Sequence, residues 1–149
     1  RPWADSARIG LWGWSYGGYM TLLTTLRSQG AVKAAMAVAP VTDWELYDTV
    51  YTERYMGTPR DNPEGYRESA PLNHADGLRS DLLLVYGTGD DNVHPQNSVR
   101  MVRALERAGK QFRMRIYPNK THAIAGAVTR VNLFTLLTDY ITGELGAGR

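Results

Sequence analysis

A serine between two glycines near the start of the chain has the residue types and spacing of an enzymatic nucleophile. Gly13, Ser15 and Gly17 form the pattern G-x-S-x-G. An apolar run precedes it and apolar residues at helical spacing follow it, which predicts a turn between a strand and a helix. There the Ser15 hydroxyl would project above the sheet. Both glycines are expected to be necessary, because a Cβ would collide with the adjacent strand or helix. A chance occurrence of the pattern is the alternative interpretation.

A serine hydroxyl is a poor nucleophile at neutral pH, so the chain must also supply a base and a group that orients the base. Three histidines are available: His74, His94 and His122. His122 is favoured because it has a loop of its own, whereas His94 shares the loop of the nearest aspartates. Taken alone, His122 also fits an ordinary surface histidine.

Two adjacent aspartates, Asp90 and Asp91, directly follow a predicted strand and are the candidates for the carboxylate. Because they are adjacent, spacing alone does not show which of the two is the carboxylate. Along the chain the order is Ser15, then aspartate, then His122. This is the order in α/β-hydrolases and differs from the orders in the chymotrypsin and subtilisin families. The three residue types therefore predict acyl transfer through an activated serine.

Four aromatic residues recur every three or four positions after the second strand: Trp44, Tyr47, Tyr51 and Tyr55. On a helix they would share one face. A stripe of this kind is usually buried in a core. The alternative is a pocket wall beside Ser15, because the preceding strand ends at the same edge of the sheet. Such a wall suits a flat apolar side chain such as proline.

These residues must be positioned by strands and helices that alternate along the chain. Apolar runs predict buried strands over residues 8–13, 32–39 and 81–86, and a fourth strand is predicted over 112–117. Helical spacing predicts helices over 16–29, 95–108 and 127–144. The apolar positions of the last two helices are Val99, Val102 and Leu105, and Val131, Phe134, Leu137 and Ile141. The alanines of 32–39 leave a helix open there. The alternation predicts a parallel sheet with helices on both faces and the candidate site at the carboxyl ends of its strands.

The chain of 149 residues is expected to form a single domain. Residues 41–78 interrupt the alternation with polar and aromatic residues and several prolines. This composition predicts an excursion from the sheet.

Composition argues against several classes of function. Seventeen Lys and Arg against fifteen Asp and Glu give a formal charge of +2. The basic residues are scattered, and Arg100, Arg103 and Arg107 are expected to form only a solvated helix face, so no nucleic acid partner is predicted. Cysteine is absent, which excludes disulfides and thiolate metal sites. No membrane span and no signal peptide are recognised. Neither His/Glu clusters with metal-ligand spacing nor phosphate-binding glycine loops occur, so no metal and no cofactor are predicted.

Five blocks of sequence together resemble one family. They are GWSYGGY (13–19), VAPV (38–41), WE (44–45), YTERYMG (51–57) and DDNVH (90–94). They are similar to the catalytic domain of the dipeptidyl peptidase IV group in the prolyl oligopeptidase family of serine peptidases, and the similarity runs over about residues 5–141. It implies an α/β-hydrolase fold, of which this chain would form the C-terminal half, with about four parallel strands and flanking helices.

The resemblance also implies roles for individual residues. Ser15 would be the nucleophile, His122 the general base, and Asp90, the first of its pair, the triad carboxylate. Tyr16 would give its main-chain N–H to the oxyanion hole and its ring to the pocket for the penultimate residue. The other residues of that proline-accepting pocket would be Val41, Trp44, Tyr47, Tyr51 and Val93. Asn92 would hold a substrate carbonyl near the scissile bond.

The chain departs from the family pattern in two respects. Ala123 follows the histidine where the family usually has glycine. The chain also begins where the family's catalytic domain is half built, so the first hydrolase strands, a tyrosine that completes the oxyanion hole and a β-propeller with paired glutamates are expected upstream. Residues 1–149 would then be a partial peptidase domain with an exposed edge on its first strand and with weak or no activity in isolation.

The predicted function is a serine exopeptidase that releases N-terminal dipeptides with proline or alanine in the second position through an acyl-enzyme. An acylaminoacyl peptidase, an oligopeptidase or an esterase on the same fold is the nearest alternative. A non-catalytic fragment or interaction module is the alternative from another class. The predicted partner is a peptide substrate. The resemblance further implies a possible homodimer and a bacterial periplasmic or secreted location, which the residues themselves leave open.

Overall fold

Four parallel strands form the sheet. The computed structural model of the chain describes residues 4–146. Its strands are β1 (Gly10–Trp14), β2 (Ala34–Val38), β3 (Asp81–Gly87) and β4 (Arg113–Tyr117), and they lie side by side in that order. All three pairings are parallel. The predicted sheet is confirmed. The alternative of a helix over residues 32–39 is wrong, because β2 pairs with a strand on each side.

Helices connect the strands and cover both faces of the sheet. Within residues 4–146 the α-helices are α1 (Tyr16–Arg27), α2 (Thr49–Met56), α3 (Pro63–Ser69), α4 (Gln96–Arg107) and α5 (Ala127–Leu145). Two 3-10 helices, Trp44–Leu46 and Pro71–Gly77, lie in the excursion together with α2 and α3. In this part of the chain, no helix combines the length and the apolar character needed to cross a membrane.

Alternate residues of the central strands face opposite layers. On one face, a core of sheet residues packs against α1, α4 and the second 3-10 helix, and its sheet residues are Ala35, Ala37, Leu82 and Leu84. On the other face, the core packs against α5, and its sheet residues are Ala34, Met36, Val38, Leu83, Val85 and Tyr117. Strands that are buried on both faces need no polar alternation, which explains the continuous apolar runs.

The buried faces of α4 and α5 differ in part from the predicted ones. In α4, Met101 and Leu105 are fully buried, whereas Val99 is exposed. In α5, Val131 and Phe134 are exposed; the buried positions are Leu133, Leu137 and Tyr140. One position along a helix corresponds to a rotation of about 100°. The way each helix lies on the sheet therefore decides which of several apolar positions is covered.

The aromatic stripe does not lie on a single helix, although its spacing is that of one helix face. Trp44 belongs to the first 3-10 helix, and Tyr47 ends that helix with an extended backbone. A new helix begins at Thr49, where the Asp48 carboxylate accepts the N–H of Tyr51 at 3.0 Å. Aspartate at this position satisfies an N–H that has no partner inside a helix, so it starts a helix rather than continuing one.

Burial of the central strands predicts a clear difference between two identical substitutions. Val85 on β3 is fully buried, whereas Val50 on α2 is 85% exposed. Val85→Ala should lower the free energy of unfolding by about 2–3 kcal/mol, because it removes two buried methyl groups and leaves a cavity. Val50→Ala should change it by about 0.5 kcal/mol or less. Urea unfolding followed by circular dichroism measures both values, and equal losses would contradict the assigned core.

Candidate active site

Ser15 lies between β1 and α1 in a strained backbone conformation. Its φ is 60° and its ψ is −120°, a region that residues with a side chain rarely adopt. Two main-chain hydrogen bonds hold it there. The Ser15 N–H donates to the carbonyl of Val38 at 2.9 Å, and the Ser15 carbonyl accepts the N–H of Tyr19 at 2.9 Å. This is the strand-to-helix turn that the G-x-S-x-G pattern predicted.

Steric demand for glycine is present at Gly13 and absent at Gly17. A Cβ on Gly13 would overlap the carbonyl group of Gly17 at the start of α1. A Cβ on Gly17 would meet no atom within 4 Å, so the prediction that both glycines avoid a collision is wrong for Gly17. The second close approach is instead at Gly18, where a Cβ would lie 2.8 Å from the carbonyl oxygen of Val38.

Asp90 follows β3 and is buried at the same edge of the sheet, with 1% of its side chain exposed. Its Oδ1 accepts the N–H groups of Asn92 at 3.0 Å and Val93 at 2.9 Å, and its Oδ2 accepts Nδ1–H of His122 at 2.8 Å. A buried carboxylate needs such partners, because an uncompensated buried charge is strongly destabilising. Asp91 is exposed. Of the two aspartates that the spacing left open, the structure therefore pairs Asp90 with the histidine.

His122 reaches the carboxylate from the loop after β4, with 23% of its side chain exposed. The loop is anchored at two points. The main-chain carbonyl of His122 accepts the indole N–H of Trp14 at 3.0 Å, and Ile124 is fully buried. Because Trp14 directly precedes Ser15, this hydrogen bond joins the histidine loop to the serine turn. Since Nδ1 is bonded to the carboxylate, Nε2 is the nitrogen left to act as a base.

The other two histidines bond to main-chain groups elsewhere. Nε2 of His74 lies 2.7 Å from the carbonyl oxygen of Glu68. Nδ1 of His94 accepts the N–H of Gln96 at 3.2 Å. Both contacts are local in sequence, which is typical of histidines that stabilise a loop.

Trp44 is the centre of an aromatic cluster beside the serine turn. Its ring centroid lies 6.0 Å from that of Tyr16, 5.9 Å from that of Tyr47 and 6.0 Å from that of Tyr51. Tyr51 stacks on it at an interplanar angle of 25°, whereas Tyr47 meets it edge-on at 83°. Tyr55 extends the cluster through Tyr51, at 5.2 Å. The rings therefore converge although a break separates the two helices that carry them.

Apolar and polar side chains from two other loops complete this group. Val41 after β2 and Val93 after β3 are buried against Trp44. The exposed Asn92 accepts the hydroxyl of Tyr47 on its Oδ1 at 2.9 Å. All the residues predicted for the pocket thus lie together at the carboxyl edge of the sheet, close to the serine turn.

Two buried tyrosines that were not predicted as site residues pack in the same cluster as Trp44. Tyr19 on α1 is buried, and its ring meets Trp44 edge-on at 5.0 Å. Tyr66 on α3 is buried, and its hydroxyl donates to the carbonyl of Gly57 at 2.8 Å. Tyr19 lies one helical turn after Ser15, and that spacing was a usable signal. No spacing signal links Tyr66 to the site, because it comes from a separate helix of the excursion.

The cluster forms an apolar wall with an open cavity of about 490 Å³ beside it, lined by Tyr16, Trp44 and Tyr51 among others. Burial raises the pKa of Tyr51, and the neighbouring tyrosines raise it further. The phenol therefore stays uncharged at neutral pH. A neutral aromatic wall favours apolar groups of a ligand over charged ones.

Fold and site together define a class of protein. A parallel sheet covered by helices on both faces, a serine on a strained strand-to-helix turn and an Asp–His pair at the same edge are features of the α/β-hydrolases. The crystal structure of Porphyromonas gingivalis dipeptidyl peptidase 4 superposes with a TM-score of 0.94 and 49% sequence identity, and the match covers 96% of this chain and 20% of that one. The predicted α/β-hydrolase fold is confirmed.

Sequence comparison specifies the family within that class. The profile of the prolyl oligopeptidase family matches residues 1–148. Dipeptidyl peptidase 4 of Bos taurus is 43% identical over 140 residues, which make up 92% of this chain and 18% of the bovine protein. Probable dipeptidyl-aminopeptidase B of Neurospora crassa is 44% identical over 145 residues, or 95% of this chain and 16% of that protein. The chain belongs to the prolyl oligopeptidase family and spans less than a fifth of these two relatives.

The close approach at Gly13 predicts that alanine is not tolerated there. Gly13→Ala should lower the free energy of unfolding by about 3 kcal/mol, because the new Cβ displaces the start of α1. Gly143→Ala on α5, where a Cβ meets no atom within 4 Å, is the matched control and should raise it by up to about 1 kcal/mol through helix propensity. Urea unfolding of both variants measures the difference. An unchanged midpoint for Gly13→Ala would contradict the geometry of the turn.

The pairing of His122 with only one of two adjacent aspartates predicts unequal effects of identical substitutions. Asp90→Asn should slow the reaction of Ser15 with a fluorophosphonate about 10³- to 10⁴-fold, because the amide no longer holds the imidazole in the required tautomer. Asp91→Asn should change the rate by less than about threefold, because the side chain of Asp91 is exposed and is not the one that bonds to His122. The reverse ranking would refute the assignment of the carboxylate.

Proposed function

We propose that the protein containing this chain is a serine exopeptidase that releases N-terminal dipeptides with proline or alanine in the second position. Two of its relatives are named dipeptidyl peptidase 4 and probable dipeptidyl-aminopeptidase B, which supports release of dipeptides. The observation that carries the proposal is the 2.8 Å hydrogen bond between His122 and the buried Asp90, on a loop that Trp14 joins to the serine turn.

The reaction proceeds through an acyl-enzyme. Ser15 Oγ attacks the carbonyl carbon of the scissile bond while Nε2 of His122 accepts the hydroxyl proton. Asp90 orients the imidazole and stabilises the imidazolium that forms. His122 then returns the proton to the leaving amine, and a water molecule activated by the same nitrogen hydrolyses the ester to release the dipeptide and the free serine.

The oxyanion that forms in each half of the reaction needs hydrogen-bond donors. Tyr16 is the first residue of α1, and the N–H groups of a first helical turn have no partner inside the helix. The Tyr16 N–H is therefore proposed as one donor, supported also by the positive end of the helix dipole. Its ring then belongs to the pocket, so that one residue contributes to both rate and specificity.

The aromatic cluster is proposed to accept the penultimate residue of the peptide. Val41, Trp44 and Val93 are buried and apolar, and a proline ring carries no donor or charge that such walls would leave unsatisfied. Tyr47 and Asn92 are bonded to each other at the rim. Asn92 keeps its amide N–H groups available for a substrate carbonyl, the role proposed for it.

The alternatives on this scaffold differ in what they require at the substrate's N-terminus. An acylaminoacyl peptidase, an oligopeptidase or an esterase accepts substrates without a free amine, whereas a dipeptidyl peptidase requires one. The decisive comparison is therefore between free and blocked substrates that are identical in the second position. Formation of a homodimer is a separate prediction that this comparison does not address.

The intact protein should hydrolyse Gly-Pro-4-nitroanilide. Its kcat/KM for the N-acetylated form should be at least about 100-fold lower, because acetylation removes the polar interaction with the free N-terminal amine. Ser15→Ala should lower kcat by about 10⁵-fold or more, because the nucleophile is removed. Initial rates of nitroaniline release measure both effects.

Equal rates on the free and acetylated substrates would favour an acylaminoacyl peptidase or an oligopeptidase. Absence of both hydrolysis and labelling of Ser15 by a fluorophosphonate would favour a non-catalytic module. Wild-type activity in Ser15→Ala would overturn the proposed nucleophile.

A further inference from the structure

The segment that leaves β2 is buried although it has no regular secondary structure. Residues 39–43 lie between the end of β2 and the first 3-10 helix, and all are buried. Main-chain groups in such a segment need hydrogen-bond partners from elsewhere in the fold. The segment carries Val41, and Trp44 follows it directly. Its position therefore decides where one wall of the proposed pocket stands.

A buried amide on α4 provides these partners. The Thr42 N–H donates to Oδ1 of Asn97 at 2.9 Å, and the Thr42 hydroxyl donates to the main-chain carbonyl of Asn97 at 2.7 Å. Both residues are 0% exposed. The Nδ2 of Asn97 donates in turn to the carbonyl of His94 at 3.2 Å. One side chain thus connects the segment after β2 with the loop after β3, which carries Val93.

An ion pair one helical turn further along α4 reinforces the connection. Nη1 of Arg100 lies 3.2 Å from Oδ2 of Asp43, whose side chain is 12% exposed. Oδ1 of Asp43 accepts the N–H of Glu45 at 3.1 Å and so caps the 3-10 helix that carries Trp44. Arg100 is exposed, as expected for a solvated helix face, and its guanidinium also pairs with Asp43 of the pocket segment.

We propose that Thr42 and Asn97 form a clamp that fixes the position of Val41 and Trp44 relative to Val93 in the proposed pocket. They act as positioning residues for the choice of the penultimate residue of the substrate, an inference that rests on the proposed function. A neutral hydrogen bond of moderate strength is sufficient for this, because the apolar walls select the substrate by its shape and not by its charge. Proline fills such a pocket more completely than alanine does, so proline loses more when the clamp loosens.

The test uses the intact protein and a substitution that preserves shape. Thr42→Val keeps the β-branched side chain and the main-chain N–H and removes only the hydroxyl that donates to Asn97. The ratio of kcat/KM for Gly-Pro- over Gly-Ala-4-nitroanilide should fall about 3- to 10-fold. The rate at which a fluorophosphonate labels Ser15 should stay within about twofold of wild type. Thr42→Ser, which keeps a hydroxyl, should restore most of the ratio.

Thr25→Val is the matched control, because Thr25 is buried on α1 and its hydroxyl has no hydrogen-bond partner. It should leave both the ratio and the labelling rate unchanged. The clamp is overturned if Thr42→Val leaves the ratio unchanged. An unchanged ratio with a joint fall of the labelling rate and both hydrolysis rates would show that Thr42 has a merely structural role. Failure of the wild-type protein to cleave either substrate would instead overturn the proposed function itself.

Discussion

The pairing of β2 with a strand on each side is the constraint on which the rest of the structure depends. Val38 is aligned with Trp14 of β1 and with Val85 of β3. Because the strands are parallel, their carboxyl ends meet at one edge, and the loops that follow them are brought together there. The hydrogen bonds of the sheet continue into those loops, since the Val38 carbonyl accepts the Ser15 N–H and the Ala39 N–H donates to the Val85 carbonyl. The strained turn at Ser15 is thus supported by the most buried part of the molecule.

The loops at this edge are held by polar contacts with other parts of the fold. The Asp90 carboxylate holds His122, the Trp14 indole holds the histidine loop, and Asn97 holds the segment after β2. In a buried environment such hydrogen bonds are strong, and the loss of one partner leaves an unsatisfied group that is costly. The site therefore has little freedom to rearrange, which is what preorganised catalysis requires of its donors and acceptors.

Residue types and short spacings were sufficient to predict the four strands, the helices α1, α4 and α5, and the order of the candidate triad; the helices of the excursion were not predicted. Strand-to-helix alternation and the G-x-S-x-G turn are local patterns, so the structure has them where the sequence predicted them. Predictions that depended on how elements pack were less accurate. Val99 and Phe134, which the helical spacing placed on apolar stripes, are exposed, and a Cβ on Gly17, which was expected to collide, would meet no described atom within 4 Å. The aromatic stripe is divided between two helices because the side chain of Asp48 caps a new one.

The sequence by itself determined the family, the parallel sheet and most residues of the candidate site, because those follow from local periodicity and from blocks of characteristic residues. The resemblance had already implied Asp90 rather than Asp91, and the structure adds the hydrogen bond that joins it to His122. Only the tertiary structure showed that Asn97 and Arg100 bond to the pocket segment and that Tyr19 and Tyr66 pack with the aromatic cluster. Neighbours in sequence point in different directions once a loop folds, and contacts between loops depend on strand register, which no single stretch of sequence encodes.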